Sequence, residues 1–196
     1  MPLEIATPCV IDTRYVIDVL TKLLNIPSPT GFTDTAIAFV EQVLAAYPGI
    51  EVTRTRKGGL LVSWQANAPV DDHQRALTAH IDTLGAMVKQ VKANGRLQLT
   101  KIGGFPWNTV EGEGCTVFTH AGDRVRGALL LTKASCHVFG AEVGEMKRED
   151  DTLEVRLDAR TSTADETRAL GIAVGDFVAF DPRVELNNGF IRSRHL

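Results

Sequence analysis

The tripeptide His80-Ile81-Asp82 carries the sharpest chemical signal in this sequence. Ala76 to Asp82 reads as a short, largely apolar strand, the kind that suits the centre of a buried sheet. Residues two apart on a strand face the same side, so the imidazole and the carboxylate project together while Ile81 packs behind them. That pairing suits a metal-ligating histidine with an acid beside it, because the acid fixes the imidazole tautomer and makes the ring a stronger ligand. Thr83-Leu84-Gly85 follows, which puts the pair at a strand's carboxyl end, where open α/β sheets place their ligands. A histidine hydrogen-bonded to an aspartate at a strand end, with no metal, satisfies the same spacing. A catalytic metal needs about three protein ligands, so the tripeptide alone is an incomplete site.

Other reactive residues offer less. His73 lies among Asp71, Asp72 and Gln74 in a polar loop, His120 precedes Ala121-Gly122-Asp123 as a turn residue, and His195 has no local partner. Cys136-His137 resembles a nucleophile–base pair, but neighbours on a strand point to opposite faces. Cys136 reads instead as a small apolar core residue. Glu111-Gly112-Glu113-Gly114 reads as a solvated loop, and Asp150-Asp151 as an exposed one. No Gly-x-Ser-x-Gly elbow is present, and neither Lys57-Gly58-Gly59 nor Ile102-Gly103-Gly104 fits a phosphate-binding pattern. Three cysteines are too few and too scattered for a disulfide framework.

The elements that must position His80 and Asp82 read as follows. Asp12 to Leu24 and Asp34 to Tyr47 each carry apolar residues at three- and four-residue spacing, the mark of amphipathic helices. Two prolines and a glycine in Ile26-Pro27-Ser28-Pro29-Thr30-Gly31 separate them, and Pro48-Gly49 stops the second. Ile50 to Thr53 and Leu60 to Trp64 flank Lys57-Gly58-Gly59 as a hairpin. Beyond Ala86 the texture changes to short strands and turns: Met87–Val91, Leu97–Ile102, Thr116–Thr119, Arg124–Leu131 and Leu153–Leu157, with Asn94-Gly95 as a hairpin turn. Thr163 to Glu166 fits a capping box for one short helix, and Gly171 sits where that helix ends. The expected fold class is therefore α/β: a helix-covered sheet interrupted by a small β-barrel. The expected division is residues 1–85 as the first part of an α/β domain, 86–175 as the inserted barrel and 176–196 as the return.

Composition is that of an ordinary folded domain. The 196 residues are 44% hydrophobic and 23% charged, with a formal net charge of −3. Slight acidity with no Lys/Arg block speaks against a nucleic-acid partner. No apolar stretch approaches the roughly 18 residues of a membrane span, and Met1-Pro2-Leu3-Glu4 does not begin a signal peptide. A cytoplasmic setting is expected.

The order of features resembles metallopeptidase family forty-two, the glutamyl and tetrahedral aminopeptidases. It runs from Ser28-Pro29-Thr30-Gly31 ahead of a helix, through Ala79-His80-Ile81-Asp82 with Gly85, to Ile102-Gly103-Gly104. It continues with Arg126-Gly127-Ala128-Leu129-Leu130, Leu153 to Asp158, Asp165-Glu166 and Leu170-Gly171-Ile172, and ends with Gly175-Asp176-Phe177-Val178. The resemblance implies a dinuclear-metal aminopeptidase using two divalent ions, zinc, cobalt or manganese, on peptides with a free amino terminus. It also implies a barrel that mediates self-association, as a dimer or a dodecamer. By position, His80 would bind one metal ion and Asp82 would orient that imidazole. Thr83 stands where the family usually has glutamate, and the residues after Ile102-Gly103-Gly104 depart from the family wording. Ile191 to Leu196 resembles the stretch that precedes a metal-bridging aspartate motif, so the remaining ligands and a general-base glutamate are expected beyond Leu196, and residues 1–196 alone are expected to be inactive. Two rival readings are a non-catalytic oligomerisation module, and a glycoside hydrolase, as older family names suggest; the latter needs a pair of carboxylates.

Overall fold

The computed structural model describes residues 10–64 and 75–196. Helix α1 (Thr13–Leu24) is capped by Asp12, whose carboxylate accepts from the Tyr15 amide at 3.0 Å. Helix α2 (Asp34–Leu44) ends before Tyr47, earlier than its apolar spacing predicts. Strands β1 (Ile50–Arg54) and β2 (Leu60–Trp64) form the expected antiparallel hairpin. Arg54 ties this hairpin to α2 through two bonds to the Glu41 carboxylate, each 2.5 Å long.

The centre of the molecule is a closed antiparallel barrel of six strands. In chain order these are β3 (Gly85–Val91), β4 (Leu97–Ile102), β5 (Gly114–Phe118), β6 (Arg124–Leu131), β7 (Leu153–Leu157) and β8 (Phe177–Phe180). Around the barrel they run β3-β4-β7-β6-β5-β8. Alternate residues point inward, so Val88, Leu97, Leu99, Val117, Leu129, Leu131, Val155 and Val178 make a fully buried core. The β3–β4 turn is the Asn94-Gly95 pair, with Gly95 at φ +78°. Gly127 is required by close approach, since a Cβ there would meet the Arg156 carbonyl oxygen at 2.7 Å. Helix α5 (Ala164–Ala169) carries the complete capping box between Thr163 and Glu166, and Gly171 follows its end at φ +81°.

Several features differ from the sequence reading. Ala76 to Asp82 is not a strand: it is irregular, with Leu77 fully exposed, and its neighbour Thr83 makes a single parallel bridge to Pro29. Cys136 to Phe139 is a four-residue helix, α3, followed by a second, α4 (Glu142–Glu145), so Cys136 is neither on a strand nor in the core but exposed. A second hairpin, β9 (Glu185–Asn187) and β10 (Phe190–Arg192), turns at Asn188-Gly189, both residues having positive φ. Glu111 and Glu113 are held in ion pairs rather than free in a loop: Arg148 clasps Glu111, and Arg183 and Arg194 both reach Glu113. Asp150 is exposed as expected but accepts from the Trp107 indole at 2.6 Å. His73 and the polar loop around it lie outside the described residues.

Candidate functional site

The loop between α1 and α2 is built to meet residues 82–85. Prolines at 27 and 29 keep it extended. The Thr83 amide donates to the Ser28 carbonyl at 2.7 Å, and the Pro29–Thr83 bridge aligns the two segments. Gly85 permits the approach, because a Cβ there would lie 2.7 Å from the Pro29 side chain. The turn is closed by the Phe32 amide, which donates to the Pro29 carbonyl at 2.7 Å, with Gly31 at φ +93°. Phe32 then anchors the loop to the barrel, its ring 4.8 Å from Phe118 and 5.3 Å from Phe177 between centroids.

This scaffold brings His80, Asp82 and Thr30 together. His80 Nδ1 lies 3.1 Å from Asp82 Oδ1 and 3.1 Å from the Asp82 carbonyl oxygen. Both of those atoms accept, so the network assigns the ring proton to Nδ1 and leaves the Nε2 lone pair pointing away from the acid. The Thr30 hydroxyl donates to the other carboxylate oxygen, Asp82 Oδ2, at 2.6 Å. That bond, more than any other influence, holds the Asp82 carboxyl below the usual carboxylate range, against the opposing effect of partial burial. The His80 side chain is 84% exposed, so no described residue packs it in place.

The donor set fits one position of a metal centre: a neutral imidazole with a carboxylate behind it and its second nitrogen outward. Among the described residues, no three His, Cys, Asp or Glu side chains come together as a metal site. His80 and Asp82 are thus brought together as the sequence predicts, although by hydrogen bonds and not by strand geometry. Thr30 escaped the sequence reading. It lies 52 positions from its partner, and the only local signal was its place in a Pro/Gly loop ahead of a helix.

The other candidates stand apart from this site. His120 occupies a turn, as expected. His195 is half-buried near the chain end, and its burial pushes the imidazole below its usual value. Cys115 is fully buried in the barrel, and desolvation pushes its thiol up to about 12.

Comparison with known proteins adds a family and three relatives. The M42 glutamyl aminopeptidase family matches residues 58–196. YhfE of Bacillus subtilis (strain 168) is 45% identical over 186 residues, covering 93% of this chain and 52% of that protein. The TET aminopeptidase of a marine sediment Thaumarchaeota archaeon superposes with a TM-score of 0.75 at 18% identity, over 91% of this chain and 48% of its own. The TET1 peptidase of Pyrococcus horikoshii, which can assemble into a tetrahedron or a large octahedral shell, gives 0.67 at 21% identity, over 88% and 48%. The two solved structures share the fold. The chain spans about half the length of the relatives it matches.

Proposed function

From the premise that this chain belongs to the M42 glutamyl aminopeptidase family, we propose that it supplies one part of a metal-dependent aminopeptidase that removes N-terminal residues from peptides. The observation that carries this reading is the Thr30–Asp82–His80 chain of hydrogen bonds, which ends in an outward imidazole nitrogen. In this reading His80 is a ligand through Nε2, and Asp82 is the acid that holds its tautomer. Two divalent ions, zinc, cobalt or manganese, supply when bound a nucleophilic water at neutral pH and polarise the scissile carbonyl. The chain's own contribution is orientation. Asp82 keeps the Nδ1 proton on the inner side of the ring, and the 28–31 loop keeps Asp82 in place.

The six barrel strands run from Gly85 to Phe180, past the expected boundary at 175. Residues 85–180 are therefore assigned to the barrel part, which mediates self-association in a cytoplasmic enzyme, and residues 1–84 and 181–196 to the catalytic α/β part. The shells formed by the Pyrococcus horikoshii protein support the association half of this reading. The glycoside-hydrolase alternative gains no support: no pair of carboxylates stands out for it in the sequence, and the neighbouring Glu111 and Glu113 are each occupied by arginines.

The test joins this chain to the remaining half of YhfE and assays the chimera on aminoacyl chromogenic substrates. Turnover that a chelator abolishes and zinc, cobalt or manganese restores is the expected result. A folded chimera with no turnover on any aminoacyl substrate would contradict the proposal. Residues 1–196 alone, with the same metals, are expected to give no turnover, since no three His, Cys, Asp or Glu side chains come together among the described residues, where about three ligands are needed.

A further inference from the structure

We infer that Thr30 is a positioning residue for His80, acting through Asp82, an inference that rests on the reading of His80 as a ligand. The geometry supplies the argument. His80 is not carried on a paired strand and its ring is exposed, so among the described residues neither a sheet nor packing fixes its direction. Its restraint is the bond to Asp82, and an aspartate side chain that is itself 36% exposed is free to rotate away from the ring unless its second oxygen is held. Thr30 holds that oxygen at 2.6 Å, the shorter of the two side-chain contacts the carboxylate makes among the described residues.

Thr30 can do this because its own position is over-determined. Ser28 accepts from Thr83, Pro29 bridges to Thr83, and Pro29 seats against Gly85 on one side of the loop. On the other side, Gly31 lies beneath Phe177 so closely that a Cβ would come within 3.3 Å of the ring, and Phe32 packs on Phe118 and Phe177. The hydroxyl is therefore referenced to the barrel wall. The order of restraint runs barrel, loop, Thr30, Asp82, His80, and each link is a named contact. A threonine hydroxyl donates to a carboxylate and a serine hydroxyl does the same, whereas valine has the same shape and no proton to give.

The test reads the imidazole directly and uses residues 1–196 without metal. Nitrogen-15 NMR of the histidine ring, at mildly alkaline pH where an ordinary imidazole is neutral, reports which nitrogen bears the proton. In the wild-type chain the Nδ1–H tautomer of His80 is expected to predominate. Thr30→Val should raise the ratio of Nε2–H to Nδ1–H about fivefold, the equivalent of one ordinary hydrogen bond. Thr30→Ser should restore the wild-type ratio. If valine disturbs the loop, as changes in amide shifts beyond residues 26–33 and 80–86 would show, Thr30→Ala removes the same donor without the branched side chain and carries the same expectation. An unchanged tautomer in a folded valine or alanine variant would overturn the inference, and so would a serine variant that behaves like valine. A wild-type His80 with its proton on Nε2 is a separate outcome. It would overturn the pairing with Asp82, and with it the ligand reading, whatever Thr30 does.

Discussion

Asp82 divides its two oxygens between His80 and Thr30, and this division sets what a substitution there should do. Asp82→Asn keeps the size but loses the charge and one acceptor. In the YhfE chimera it should lower metal affinity by about 10- to 100-fold, the usual consequence of changing an acid behind a ligand, measured by competition with a chromogenic chelator. An affinity unchanged within twofold would mean that the imidazole needs no orienting acid. The cysteines give a second residue-scale prediction. Cys115 sits in the barrel core with its thiol pushed up to about 12, whereas Cys136 is exposed on α3. Iodoacetamide at mildly alkaline pH should alkylate Cys136 within minutes and Cys115 only after denaturation. Peptide mapping by mass spectrometry separates the two sites.

The barrel strands hold together through residues that can be tested one at a time. Leu129 is completely buried on β6, and Leu129→Ala should cost about 2–5 kcal/mol of unfolding free energy in urea titrations, the range for removing a buried leucine side chain. Arg126 on β6 grips Asp181 just past β8 with two bonds, of 2.5 and 2.7 Å, across the space left by Gly114. The guanidinium holds the Asp181 carboxyl below its ordinary value. A carboxylate with a depressed folded pKa stabilises the fold above its unfolded pKa, about 3.9, and that stabilisation is lost as pH falls through the folded value. Wild type should therefore lose stability below about pH 4 more steeply than Asp181→Asn, and equal slopes in urea midpoints against pH would refute the pair's contribution. The pair is partly exposed, so the difference is expected to be small.

These elements were legible to different degrees. β4, β6 and β7 occur at the residues read from the sequence because alternation and the Asn94-Gly95 turn specify a half-buried strand locally. The Thr163–Glu166 capping box is equally local. α3 and α4 have four residues each, too few for any period to show. The 76–82 segment misled because an apolar run becomes a strand only where a partner backbone meets it, and among the described residues the nearest pairing is the one bridge at Thr83. The His80–Asp82 pair was legible as a tripeptide. Thr30 was not, because its link to Asp82 exists only once the loop has docked.

At the scale of the whole molecule, the chain buries a complete barrel but leaves Leu61 and Trp64 of the β1–β2 hairpin exposed. Apolar surface of this kind and the barrel's proposed role in assembly both predict that residues 1–196 sediment as a species larger than the 21.3 kDa monomer. A monomer at every concentration would contradict the association reading while leaving the catalytic one intact. The catalytic reading turns on whether His80 holds an ion. The most direct measurement is the metal content of the purified YhfE chimera, with and without His80→Ala, by elemental analysis after exhaustive dialysis. About two divalent ions per chain should fall to about one in the alanine variant, with peptidase activity lost and the fold kept. An alanine variant that retains the full metal complement would contradict it.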